Sequence, residues 1–163
     1  MIVDRVVTLP ELLALRHRWR AEGKTLVLTN GTFDVLHVGH LRYLQAARAL
    51  GDILVVAVNS DASVRAYKGP GRPVVPQDER AELLAALRCV NYVTIFNELT
   101  ATHLVEALQP EIYVKGGDYS VSTGKPLPEA EAVRAHGGEV RIIPYVEGHS
   151  ATDIIARMKS RKS

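Results

Sequence analysis

The chain has 163 residues, 47% of them hydrophobic and 23% charged. That suits one globular domain with a sizeable core and excludes a disordered or low-complexity chain. Lys and Arg number 20 against 18 Asp and Glu, a formal charge of +2, too small to imply a nucleic-acid partner.

Four of the basic residues (Arg157, Lys159, Arg161 and Lys162) fall near the C-terminus, so the body is slightly acidic and 159–163 reads as a solvated, frayed tail. The single cysteine, Cys89, excludes an internal disulfide and a CxxC zinc site; its apolar neighbours mark it as a small core residue. No apolar h-region stands at the N-terminus, and the run Ile53–Val58 is far too short to cross a bilayer. A cytoplasmic protein without a membrane partner is expected.

Thr8 and Glu11 form a capping box ahead of a helix with the apolar stripe Leu12, Leu15 and Trp19. Residues 1–24 thus read as an N-terminal helical extension. A β-branched, apolar strand follows over Thr25–Thr29 and ends at Asn30-Gly31. Leu41, Leu44, Ala47 and Leu50 recur at helical spacing, and Gly51 stops that helix. Ile53–Val58 is a continuous apolar run, as expected of a strand buried on both faces. A helix is predicted over Gln77–Arg88, with Leu83, Leu84 and Leu87 on one face. Strands are predicted over Tyr92–Phe96, Ile112–Lys115 and Val140–Pro144, and helices over Ala101–Leu108, Glu129–Ala135 and Ser150–Met158. Five short strands separated by helices predict an α/β fold: a Rossmann-like, open, parallel five-stranded sheet with helices on both faces, one domain over 1–163. Such sheets bind ligands beyond the carboxyl ends of their strands. Function is therefore expected in the loops after Thr29, Asn59, Phe96, Lys115 and Pro144.

The loop after the first strand runs from Asn30 to His40 and holds Gly31, Gly39 and two histidines, His37 and His40, three residues apart. Histidines at that spacing share one side of the first helical turn. The helix N-terminus adds free amides and a positive dipole end, and Gly39 leaves room for a ligand to approach. The chemistry suggested is stabilisation of a phosphoryl transition state by imidazole donors and amides. A metal pair lacks an HExxH pattern and a third ligand nearby; a capping or packing histidine is the plainer alternative. No G-x-G-x-x-G occurs, and Gly23-Lys24-Thr25 has Arg18 where a Walker A loop needs its first glycine. An ordinary dinucleotide dehydrogenase and a P-loop kinase are disfavoured.

The stretch Asn30–His40 resembles the GxFDxxHxGH signature of the cytidylyltransferase-like nucleotidyltransferase superfamily. Further segments extend the likeness from about Val3 to Met158. They are Val58-Asn59-Ser60-Asp61, Lys68-Gly69 with Arg72-Pro73-Val74, Glu79-Arg80, Val114–Tyr119, Gly138–Val140 and Gly148–Ile155. Within that superfamily they are most similar to stand-alone or kinase-fused enzymes that transfer AMP from ATP to D-glycero-β-D-manno-heptose 1-phosphate. No kinase domain is expected in this length. Related enzymes join CTP to glycerol 3-phosphate or ATP to flavin mononucleotide, so these are the alternatives.

The resemblance implies that His37 and His40 contact the triphosphate and that a phosphate oxygen of the acceptor attacks the α-phosphorus. The backbone of Thr32 and Phe33 would lie along the nucleotide beside Gly39. Asp34 would stand near the reacting phosphates, or hold its own loop through an Asx-type bond. Lys68, in the loop Tyr67–Pro73, is either a solvated charge or a cation that closes over polyphosphate; Arg72 is a weaker candidate of the same kind. Arg80 opens a helix, where a cation implies a nearby phosphate unless Asp78 or Glu79 satisfies it. Lys115 and Gly116 would approach the nucleoside, with Asp118 accepting from ribose hydroxyls. Ser150 caps the last helix and, with Thr152, would face ATP phosphates. His149 stands where the heptose enzymes often have cysteine. Mg²⁺ is expected to arrive with ATP on phosphate oxygens and water, with no protein metal site. The expected partners are ATP and a sugar phosphate, and the chain is expected to self-associate as a homodimer or higher homo-oligomer.

Overall fold

The structure, a computed structural model, describes residues 2–117, 127–144 and 146–161. A 3₁₀ turn, Ile2–Arg5, leads into α1 (Leu9–Ala21) and β1 (Leu26–Gly31). α2 (Val38–Arg48), β2 (Ile53–Asn59), α3 (Asp61–Lys68), α4 (Gln77–Ala85) and β3 (Tyr92–Phe96) complete the first half. The second half is α5 (Thr102–Leu108), β4 (Ile112–Gly116), α6 (Glu129–Ala135), β5 (Glu139–Ile143) and α7 (Ala151–Ser160).

The sheet order is β3-β2-β1-β4-β5, and every neighbouring pair is parallel. The chain winds outward from β1 to β3, then crosses back to β4 and winds out the other way. The strand order reverses between β1 and β4, which opens a crevice at their carboxyl ends. Alternate residues of β1 enter opposite cores because side chains alternate across a strand. Leu26 and Leu28 pack with Leu12, Trp19, Leu104 and Val133 of α1, α5 and α6. Val27 packs with Leu44 of α2 and Ala81 and Leu84 of α4. Helices on both faces explain why β1 and β2 read as continuous apolar runs.

The N-terminal segment is integral to the domain. Val6 bridges to Val93, and the α1 capping box of Thr8 and Glu11 is present. Arg16, only 3% exposed, donates through Nε to Leu108 O (2.8 Å) and through Nη2 to Gln109 O and Glu111 Oε1 (2.7 Å each). Glu111 Oε2 in turn accepts the Leu26 amide at 2.7 Å. One charged pair thereby ties α1 to the start of β1 and to the turn before β4.

The structure corrects three expectations. Residues 61–68 form α3, so Lys68 ends a helix and the Gly/Pro-rich loop begins at Gly69. Helix α4 ends at Ala85, and its buried face is Arg80, Ala81, Leu84 and Ala85; Leu83 is 50% exposed. Helix α7 continues to Ser160, which makes Lys159 helical rather than part of a frayed tail.

Candidate active site

At the carboxyl end of β1 the chain turns out of the sheet toward α2. Phe33 (φ 51°) and Val35 (φ 47°) both adopt left-handed backbone conformations. Each costs a non-glycine residue on the order of 1–2 kcal/mol, and such strain persists only where the surroundings fix it. The residue between them supplies that fixation. Asp34 is buried, with Oδ2 accepting the Val74 amide (2.8 Å) and Oδ1 the Val75 amide (2.9 Å). Arg72 Nη1 adds a longer ion pair at 3.4 Å. Burial pushes this carboxyl up, but the two amides and Arg72 outweigh it and hold it below its ordinary value. The recorded bonds of Asp34 all reach across to residues 72–75, so it clamps two loops together instead of making an Asx bond within its own.

Arg80 is the second stitch. It is 1% exposed and donates to Val75 O (2.9 Å), Thr32 O (2.6 Å) and Asp61 Oδ1 (2.8 Å). The partner of this buried cation is Asp61 of α3, not Asp78 or Glu79. Arg80 therefore holds the Thr32 carbonyl and does not project into the cleft as a free phosphate ligand.

Helix α2 begins with an imidazole in place of the usual capping hydroxyl. His37 is the N-cap, and its Nδ1 accepts the Gly39 amide at 3.0 Å. His40 Nδ1 accepts the His37 amide at 3.3 Å. The rings stack with centroids 3.9 Å apart, and Phe33 lies against His40 at 5.4 Å. An Nδ1 that accepts a hydrogen bond carries no proton, so the proton of each neutral ring is on Nε2. Burial, repulsion from His37 and the Lys68 ammonium bring His40 down to about 4, against the opposing pull of Asp34. Burial and then His149 hold His37 below its ordinary value. Both rings are neutral donors through Nε2–H. Gly39 is required between them, because a Cβ there would stand 2.8 Å from His37 Cε1 and 3.1 Å from His149 Cβ.

Lys68, at the end of α3, lies within electrostatic reach of His40 and Asp34; partial burial and then Arg72 lower its proton affinity. On the opposite side of the crevice, Lys115 Nζ donates to Asn30 O at 3.3 Å, next to Gly116, which ends β4. Ser150 caps α7 by accepting the Asp153 amide at 3.0 Å, and Thr152 is exposed on the first turn. His149, one residue earlier, lies beside Gly39 of α2 and within electrostatic reach of His37. Asp118 lies outside the described residues. Sequence reasoning brought together His37, Gly39, His40, Asp34 and Lys68 but missed the parts played by His149, Asp61 and Asn30; motif spacing carries no signal for contacts between loops.

Among the described residues, no three His, Cys, Asp or Glu side chains are grouped to hold a metal ion. The carboxylate at the centre of the site, Asp34, already uses both oxygens. A cavity of about 310 Å³ at the amino ends of β4 and β5 is lined by Arg20, Gln109, Glu111 and His136. Its polar groups are largely paired with one another and with carbonyls, and it lies at the wrong end of the sheet for this chemistry.

The reversed strand order and the imidazole pair heading α2 define a Rossmann-like α/β protein with its site at the switch point. Residues 28–157 match the family described as cytidylyltransferase-like. The chain is 53% identical over 144 residues to the bifunctional protein HldE of Syntrophotalea carbinolica, covering 87% of this chain and 28% of that protein. It is 52% identical over 153 residues to the bifunctional protein HldE of Koribacter versatilis, covering 94% and 31%. Among solved structures, the lipopolysaccharide core biosynthesis protein of Thermoplasma volcanium superposes with a TM-score of 0.61 at 28% identity, over 77% of this chain and 99% of that one. The chain spans under a third of the length of the curated relatives it matches. It belongs to the cytidylyltransferase-like family of nucleotidyltransferases. No described helix is long and apolar enough to cross a membrane.

Proposed function

We propose that the chain transfers AMP from ATP to D-glycero-β-D-manno-heptose 1-phosphate, giving ADP-heptose and pyrophosphate. The observation that carries this reading is the His37–His40 pair, stacked at the head of α2 with each Nδ1 accepting a main-chain amide, which leaves Nε2–H as the donor of each ring. A phosphate oxygen of the acceptor attacks the α-phosphorus, the bond to the bridging oxygen breaks, and pyrophosphate departs with that electron pair. The nucleophile is already an anion, so no general base is needed. Catalysis then rests on in-line positioning and charge stabilisation.

In this reading His37 and His40 donate to the α- and β-phosphate oxygens, and positive charge comes from Lys68 at the end of α3 and from Arg72 in the loop that follows. The backbone of Thr32 and Phe33 lines the nucleotide. Ser150 and Thr152 meet the phosphates at the head of α7, while Lys115, Gly116 and Asp118 meet the nucleoside. Mg²⁺ enters with ATP on phosphate oxygens and water, and no step is assigned to it. The heptose acceptor is supported by the motif resemblance over Val58–Ile155, by the HldE relatives and by the lipopolysaccharide core protein. The reading includes a cytoplasmic location and self-association, which sedimentation of the purified chain tests.

The experiment is incubation with ATP or CTP and a panel of sugar and polyol phosphates, scored by pyrophosphate release. ATP with heptose 1-phosphate is expected to exceed the rest. Preference for CTP with glycerol 3-phosphate, or for flavin mononucleotide as acceptor, would sink the heptose assignment.

A further inference from the structure

Asn30 sits at the carboxyl end of the central strand and is only 8% exposed. Its Oδ1 accepts the hydroxyl of Tyr113, a fully buried residue of β4. Tyr113 thereby fixes which way the amide points. The other end, Nδ2, has no hydrogen-bond partner among the described residues. The only fully buried side-chain polar atom without a partner among them is Arg16 Nη1, so Asn30 Nδ2 keeps a small exposure at the carboxyl end of β1. A nearly buried amide with two unused donors is costly to leave unpaired, which marks it as a place where a ligand oxygen completes the bonding.

Strand alternation says which ligand. Asn30 shares a face with Leu26 and Leu28, the side of α1, α5 and α6, as Tyr113 does. The histidine pair heads α2, whose Leu44 packs on the other face. An in-line displacement needs the attacking group and the leaving group on opposite sides of the phosphorus. With pyrophosphate leaving on the histidine side, the attacking acceptor approaches from the side of Asn30.

We propose that Asn30 Nδ2, aimed by the Tyr113 hydroxyl, donates a hydrogen bond to an oxygen of the phosphorylated polyol acceptor and so helps select it. This rests on the nucleotidyltransferase reading above. A neutral donor suits hydroxyl or phosphate oxygens and discriminates against cationic or apolar acceptors.

Asn30→Asp tests it, because the carboxylate keeps the oxygen that Tyr113 needs and replaces the donor with an acceptor. Heptose 1-phosphate serves as acceptor probe, with its KM read by pyrophosphate release and ATP affinity by calorimetry. The acceptor KM is expected to rise by about 20-fold or more, with ATP affinity within about threefold of the parent. Tyr113→Phe, which frees the amide without removing it, is expected to raise the same KM by a smaller factor. An acceptor KM within threefold of the parent, or ATP affinity falling as far as acceptor affinity, would overturn the assignment. If the buried carboxylate unfolds Asn30→Asp, Asn30→Ser carries the same two measurements with the same outcomes. Failure of the unaltered chain to bind ATP would instead defeat the parent reading, and this one with it.

Discussion

His40 Nδ1 accepts the main-chain N–H of His37 at 3.3 Å while the two imidazoles stack with centroids 3.9 Å apart. One ring thus fixes the other's backbone, and each ring carries its proton on Nε2. His40→Ala removes a donor that acts on the transition state and a modest local bond. We expect kcat to fall by about two to three powers of ten and stability by about 1 kcal/mol. A pyrophosphate assay and a thermal melt measure both, and turnover within a few-fold of the parent removes His40 from the mechanism.

The pH dependence of stability carries the signature of the same residue. Its folded-state pKa of about 4 lies below the 6.5 of an unperturbed histidine. As pH falls, the unfolded chain therefore takes up a proton before the folded chain does. This contribution is complete above pH 6.5 and is lost as pH falls toward 4. It amounts to roughly 2 kcal/mol, allowing for the partial exposure of the ring. Across that range the parent is expected to lose about 2 kcal/mol of stability relative to His40→Gln, which has no titrating group at this position; parallel denaturant curves would refute the assignment.

Asp34→Asn separates a clamp from a phosphate contact. An amide offers one oxygen and one NH₂ to the two amides of Val74 and Val75, so one bond is lost and a donor faces a donor. The expected cost is about 2 kcal/mol of stability. The ATP KM should rise as well, because the loop that follows Lys68 is no longer held to the histidine loop. A drop in kcat alone, with an unchanged melt, would place Asp34 on the reacting phosphates instead.

The sheet was legible because each strand is a short apolar run, and β1 and β2 are buried on both faces. Capping of α1 by Thr8 and of α7 by Ser150 was legible for a similar reason, since both signals are local. Helix α3 was not. Its residues 61–68 include only one aliphatic core residue, Val64, so no apolar stripe announces it. The helix depends on the Ser60 cap, on Gln77 accepting the Asp61 amide at 2.8 Å, and on the Ser63 hydroxyl reaching Glu98 O at 3.1 Å. Arg80 was legible as an anomaly, a cation at a helix start, but its partner lies 19 residues back in α3. Asn30 closed a strand in the sequence, and only the pairing of β1 with β4 brings Tyr113 against it.

Gly39→Ala puts a methyl group where no space exists. Its Cβ would lie 2.8 Å from His37 Cε1 and 2.9 Å from His37 Nδ1. Alanine is the better helix former by about 1 kcal/mol, so an ordinary helical position would be stabilised. Here the His37 ring must rotate away and surrender the cap it provides. We expect no gain in melting temperature and at least a tenfold loss in kcat, since misplacement of about 1 Å can cost on the order of 100-fold. A stabilised, fully active variant would show that His37 is free to move.

Arg80→Lys tests whether the second stitch depends on shape or on charge alone. The guanidinium reaches Val75 O, Thr32 O and Asp61 through three separate nitrogens in one plane. A lysine keeps the charge but has one nitrogen and cannot span all three sites. At least one buried carbonyl is left without its donor, at about 1–3 kcal/mol. Arg80→Ala removes all three bonds and leaves the partly exposed Asp61 carboxylate without its partner, so it is expected to cost more than the lysine. Because the Thr32 carbonyl lies beside the strained residue Phe33, both variants should lose nucleotide affinity before they unfold. ATP calorimetry at a temperature well below each variant's melt checks this. Normal affinity in a folded Arg80→Lys protein would show that charge near Asp61, not the three-point bond to the loop, is what the site requires.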